Sequence, residues 1–182
     1  MEEQPVIHST FVIEHKYPQP PERVFAAFAD VGKKRRWFAE GLNHDLQEFE
    51  LDFRVGGVER YRYLFKEGTP FPGVELTYDG SHQDIVPNRR IIIASSMAIG
   101  GRRISVSLVT VELLPADQGT DLICTNQGVY FEGSGGPEMR EAGWRHLFEQ
   151  LAKELMYLAP GPLQSMAVSL DPALAVGQES DD

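Results

Sequence analysis

The sequence predicts an α+β domain in which a curved antiparallel sheet wraps around one long C-terminal helix, with two short helices after the first strand. Three observations predict it. Between Leu46 and Phe131 the apolar residues alternate with polar ones, broken by glycine and proline turns at regular spacing. From Trp144 onward the apolar period lengthens to three and four residues. Before both, a proline cluster separates one alternating segment from two short helical ones.

The first strand is read over residues 6–17, with Ile7, Phe11 and Ile13 on one face. Pro18, Pro20 and Pro21 end it, and Pro21 suits the first position of a helix over residues 22–29, where Val24, Phe25 and Phe28 share a face. A second short helix follows over residues 32–38, with Trp37 and Phe38 near its end. Phe49, Leu51 and Phe53 then alternate with acidic residues, and the Gly56-Gly57 pair turns the chain into a strand carrying Tyr61, Tyr63 and Phe65 on one face. Val74, Leu76, Tyr78, His82 and Val86 share a face on the next strand. Pro87-Asn88, Gly100-Gly101 and Gln118-Gly119 turn the chain through three more strands, 90–97, 104–114 and 120–131. A glycine-rich stretch opens the final helix, whose stripe is Trp144, Leu147, Phe148, Leu151, Leu155 and Leu158. The domain is therefore placed at residues 5–158, with a flexible tail rich in Pro, Ala, Gly and Ser over residues 159–182.

The 182 residues suffice for one domain, and 42% hydrophobic residues supply a core. A formal charge of −10 argues against a nucleic-acid partner, because binding the phosphate backbone needs cationic surface. No apolar run is long enough to span a membrane, and the acidic N-terminal residues do not form a secretion signal, so the expected location is cytoplasmic. The single cysteine, Cys124, excludes an intramolecular disulfide. The five histidines are scattered and no phosphate-loop motif occurs, so neither a metal nor a cofactor is expected.

The order and spacing of several segments resemble the helix-grip fold of the START and birch-pollen-allergen (SRPBCC) superfamily. Within it, they resemble the homologues of the activator of the 90-kDa heat-shock protein ATPase. PPERVFAAFAD with Trp37, DFRVGGVERYRY, DIVPNRRI, GTDLICTNQGVYFEG and GWRHLFEQLAKEL carry the resemblance, over about residues 10–158. Relatives often carry Glu where this chain reads Thr125-Asn126-Gln127, and an aromatic residue where it has His82. The resemblance implies a cavity between sheet and helix that takes a small apolar ligand. It leaves a polyketide-cyclase-like or hydrolase-like enzyme and a chaperone-interacting module as alternatives. Catalysis is left uncertain, with a non-enzymatic binder favoured.

The candidate ligand-binding residues are Trp37, Tyr61, Tyr63, Tyr78, His82, Met97, Trp144 and Phe148, set against the simpler reading that they form the core. Trp37 is placed at the cavity mouth, Trp144 and Phe148 on its helix wall. His82 and Asp84 stand two apart on one strand, so both are expected on one inward face as a weak candidate acid–base pair. The run Lys33-Lys34-Arg35-Arg36 reads as a solvated helix face. A homodimer is left open, since a two-layer domain leaves one sheet face and its edges free.

Overall fold

The computed structural model describes residues 6–157; Leu158 and the expected tail over residues 159–182 lie outside the described residues. Strand β1 (Ile7–Tyr17) leads to helices α1 (Pro21–Ala29) and α2 (Val31–Lys34), and α2 continues into a π-helical turn (Arg35–Ala39). Six strands follow: β2 (His44–Leu51), β3 (Val58–Phe65), β4 (Glu75–Val86), β5 (Arg90–Ile99), β6 (Arg102–Ala116) and β7 (Gly119–Tyr130). Helix α3 (Gly136–Met156) ends the described chain. All seven strands form one antiparallel sheet in the order β1-β7-β6-β5-β4-β3-β2, so the first strand closes onto the last. The expected α+β architecture is the one observed.

The helices form where local chemistry favours them. Pro21 opens α1, where its missing N–H costs no hydrogen bond. Asp30 caps α2, its carboxylate accepting from the Lys33 N–H at 2.8 Å. The second helix differs from the expected single span. After Lys34 the backbone widens, and the Glu40 N–H donates to the Arg35 carbonyl at 3.0 Å across five residues. That extra residue per turn carries Trp37, Phe38 and Ala39 inward together.

The same turn corrects the reading of the basic run as a solvated face at Lys34 alone; Lys33, Arg35 and Arg36 are exposed. Lys34 is 1% exposed. Arg35 pairs with Glu40 at 3.1 Å, and the Arg36 Nε donates to Glu154 at 3.0 Å on α3. Lys34 shares an i, i+3, i+4 face with Trp37 and Phe38, so once those aromatics are buried the lysine goes in with them.

The core lies between the concave sheet face and α3, whose buried stripe is Trp144, Phe148, Leu151 and Leu155. The helix packs chiefly on β1 and the π turn. The Tyr17 hydroxyl donates to the Phe148 carbonyl at 2.9 Å, and Arg23 of α1 donates to the Leu155 carbonyl at 2.9 Å. One glycine is required by close approach: a Cβ on Gly57 would lie 2.0 Å from the Asp52 carbonyl oxygen, which no side chain tolerates. Gly57 thereby lets the β2–β3 turn fold against β4, where its carbonyl accepts the His82 backbone N–H at 3.0 Å.

Candidate functional site

The strand register sets three rows of side chains across the concave face. One runs Tyr61, Tyr78, Met97, Ser105, Tyr130. Beside it runs a row of mostly small residues: Glu59, Gly80, Ser95, Ser107, Gly128. The third begins at His82 and passes through Ile93 and Val109 to Asn126. The small row leaves room for its larger neighbours. The Tyr78 and Tyr130 hydroxyls lie where Cβ atoms on Gly80 and Gly128 would stand, at 3.1 and 2.5 Å.

At the β3–β4 end the tyrosines form a ladder. Tyr61 stacks on Tyr78 at 4.9 Å between centroids and on Tyr63 at 5.7 Å. Phe38, descending from the π turn, meets Tyr61 and Tyr78 edge-on at 5.4 and 5.5 Å, and Trp144 lies behind it at 6.0 Å. Trp37, Tyr61, Tyr78, Trp144 and Phe148 are all buried here. Trp37 does not stand at a mouth: it is 1% exposed, and its indole N–H donates inward to the Ala27 carbonyl at 2.8 Å. Only Tyr63 and Met97 of the expected set are half-buried. His44 stacks on Tyr63 at 3.9 Å. Two shallow depressions are also present, one lined by Trp37 with Arg36, Gln150 and Glu154, the other by His8, Thr10 and Gln127.

The deep end of the concave face holds a buried polar cluster. Lys34 Nζ lies 3.3 Å from Glu59 Oε2, His82 Nε2 lies 3.7 Å from the same oxygen, and the Tyr78 O–H donates to Glu59 Oε1 at 3.3 Å. The ammonium also faces the rings of Phe38, Trp37 and Phe28, at 4.0, 4.7 and 4.8 Å. Burial pulls the Lys34 ammonium below its usual range, opposed by the Glu59 charge.

The expected His82–Asp84 pair is not formed. The pairing of β4 with β5 slips between these residues, so Asp84 lies opposite Ile92 on the outward face while His82 lies opposite the inward Ile93. Asp84 instead binds Arg90 at 2.7 Å, and the carboxylate beside His82 is Glu59. Cys124 offers no nucleophile, since burial pushes its thiol up to about 12. Among the described residues no group of three or more His, Cys, Asp or Glu could hold a metal ion, and no helix is long and apolar enough to cross a membrane.

Burial holds the His82 imidazole below the usual histidine range, with Lys34 acting the same way and Glu59, the Gly57 carbonyl and Asp52 opposing. A buried imidazole kept neutral stabilises the fold above the unfolded-state pKa. That contribution is lost as pH falls through 6.5 toward the lower folded value, because the unfolded chain takes up the proton first. Urea midpoints measured at pH 7.5 and 5.5 should therefore fall more for the native protein than for His82→Leu. Equal falls would remove His82 as the source of the slope.

At the open end stands Arg140, from the first turns of α3. Its guanidinium donates to Ser105 Oγ at 2.6 Å, to Ser107 Oγ at 3.5 Å and to Met97 Sδ at 3.4 Å, and lies 5.7 Å from the Tyr130 ring. Burial pushes the Tyr63 hydroxyl up to about 12 against the opposing charge of Arg140. The Asn126 amide donates to the Tyr130 hydroxyl at 2.9 Å, while its Oδ1, fully buried, has no partner.

Sequence reasoning missed Lys34, Glu59 and Arg140, and met Asn126 only as a departure from relatives. Two of the signals were in the periodicities. Glu59 alternates with Tyr61 and Tyr63 on the inward face, and Arg140 stands one turn before Trp144 on the apolar stripe of α3.

A seven-stranded antiparallel sheet closed around a C-terminal helix, with two short helices after β1, defines a helix-grip protein. The chain belongs to the family described as "Activator of Hsp90 ATPase homolog 1-like protein", which it matches over residues 18–156. A solved structure from Rhizobium loti is similar at 49% identity, covering 83% of this chain and 99% of that one, with a TM-score of 0.73. One from Rhizobium leguminosarum is 36% identical, covering 84% and 97%, with a TM-score of 0.77. The solution structure of an AHSA1-like protein from Aeromonas hydrophila, 20% identical over 81% of this chain and 92% of that one, shares the fold at a TM-score of 0.58. No curated protein matches the chain.

Proposed function

We propose that this protein binds a small apolar or aromatic molecule at the open part of the concave face, between the first turns of α3 and strands β3–β6. The observation that supports it most is the tyrosine ladder. Phe38 covers Tyr78 and Tyr61, but the aromatic surface continues to Tyr63, and Met97 is likewise only half-buried. Apolar surface of this kind, beside a few convergent polar groups, is the usual composition of a ligand site. Burial of ligand surface supplies the affinity, and the tyrosine face orients an aromatic ring. The reading is of a binder rather than an enzyme. The one His–carboxylate pair on the concave face, His82 with Glu59, lies enclosed among Phe53, Lys34 and Tyr78. A chaperone-interacting role remains the alternative that the family name suggests.

The test is a fluorescence titration with N-phenyl-1-naphthylamine, a neutral probe that brightens in apolar sites. The native protein should bind it saturably, and Tyr63→Ala, with an unchanged melting temperature, should bind it about tenfold more weakly. Native mass spectrometry of freshly purified protein should also show a co-purifying mass of small-molecule size. An absent fluorescence response, or identical titrations for the two proteins, would overturn this placement of the site.

A further inference from the structure

We infer that the ligand of this site is an amphipathic anion, an apolar body carrying one carboxylate or similar group, and that Arg140 with Ser105 and Ser107 holds the anionic end. The inference rests on the ligand-binding reading above and adds the chemical class.

Arg23, Arg89 and Arg103 are exposed and face no carboxylate among the described residues, whereas Arg140 is half-buried and faces none either. Arg35, Arg36, Arg54, Arg60, Arg62, Arg90, Arg102 and Arg145 each face a carboxylate. The half-buried Arg140 guanidinium has no ion-pair partner among the described residues and contacts serine hydroxyls and a thioether instead. Those hydroxyls are buried, Ser105 at 0% and Ser107 at 4% exposure. Both accept from the guanidinium: Ser105 keeps its own O–H to donate, while Ser107 and the Tyr130 hydroxyl hydrogen-bond to each other and keep one O–H between them. The Tyr130 hydroxyl also accepts from the Asn126 amide. Guanidinium N–H groups and hydroxyls converging where no carboxylate answers them make a donor-rich cluster, and an oxyanion satisfies several such donors at once.

A second observation points to a ligand independently. Asn126 is 0% exposed, its amide N–H directed at the Tyr130 hydroxyl beneath Arg140, and its Oδ1 is buried without a partner. Buried polar atoms in native proteins are nearly always paired. An O–H or N–H on the same ligand completes that acceptor while its anionic group occupies the guanidinium. The apolar remainder lies toward the half-buried Met97 and Tyr63.

The test compares two probes that differ by one anionic group: 8-anilinonaphthalene-1-sulfonate and the neutral N-phenyl-1-naphthylamine. At physiological salt the native protein should bind the sulfonate roughly tenfold or more tighter than the neutral probe, the effect of charge-assisted hydrogen bonds in a half-buried site. Arg140→Met should bring the two affinities together by weakening the sulfonate far more than the neutral probe. Arg140→Gln should do the same, and circular dichroism on each variant confirms that it folds. Ser107→Ala should reduce the preference by a smaller factor. Equal affinities in the native protein, or a preference that survives in both Arg140 variants, would overturn the inference and leave the apolar site standing. If the neutral probe does not bind, or binds Tyr63→Ala as well as the native protein, the ligand-binding reading falls and this inference falls with it.

Discussion

Replacing Glu59 with Gln is expected to destabilise the protein by about 3–5 kcal/mol, the range for breaking a buried ion pair by removing one partner. Three groups converge on that carboxylate: the Lys34 ammonium at 3.3 Å, the His82 ring at 3.7 Å and the Tyr78 hydroxyl at 3.3 Å. With both Lys34 and Glu59 at 1% exposure, water cannot take over the lost interaction. The amide of Gln fills the same volume but leaves the Lys34 charge uncompensated. Lys34→Met combined with Glu59→Gln removes that charge as well, and should recover a large part of the loss. Urea denaturation of the native protein, the two single variants and the double variant gives the coupling between the two sites directly. A loss below about 1 kcal/mol for Glu59→Gln, within the range of an exposed ion pair, would mean that the pair is solvated in solution.

Phe148→Ala is expected to cost about 3–5 kcal/mol, as full truncation of a buried aromatic side chain does. Phe148 is 0% exposed and stacks on Trp144 at 5.5 Å. Its own carbonyl accepts the Tyr17 hydroxyl, so the residue ties α3 to β1 through side chain and backbone together. The truncation leaves the hydrogen bond's acceptor in place and removes only the packing, which makes the measurement a clean reading of the helix–sheet contact. Denaturant midpoints read it; an effect under about 1 kcal/mol would show that the core closes over the gap without penalty.

The architecture was legible because the two periodicities are clean. The tyrosine alternation of β3 and the Trp144–Leu155 stripe of α3 each report which face turns inward, and turn residues mark the strand ends. The candidate site was legible only where it is apolar. Alternation sets Tyr61, Tyr63 and Tyr78 on inward faces, but it does not bring out the polar residues among them. Charge was taken as a sign of solvent contact, so Lys34 was read with its basic neighbours instead of with Trp37 and Phe38. Arg140 stands one turn before the first apolar residue of the α3 stripe, so apolar periodicity alone does not include it. The His82–Asp84 pairing failed for a different reason. Counting by twos assumes an unbroken pleat, and a one-residue slip in the register sends every later side chain to the opposite face. A buried charge or a bulge is decided by a partner distant in sequence, here Glu59 for Lys34 and β5 for β4.

The pairing of the first strand with the last has a consequence for the order in which the molecule assembles. Strands β2 to β7 join neighbours through short turns and can zip up progressively, but Ile13 meets Cys124 only after nearly all of the intervening sheet exists. During synthesis β1 is the first strand to be made and the last to find its partner, with Ile7 and Val12 still unpaired in the interval. Helix α3 packs on β1, so the helix and the strand consolidate in the same late step. The final event of folding therefore builds the wall on which Trp144 and Phe148 rest, and damage to β1 or to α3 should appear as a slow, aggregation-prone approach to the native state.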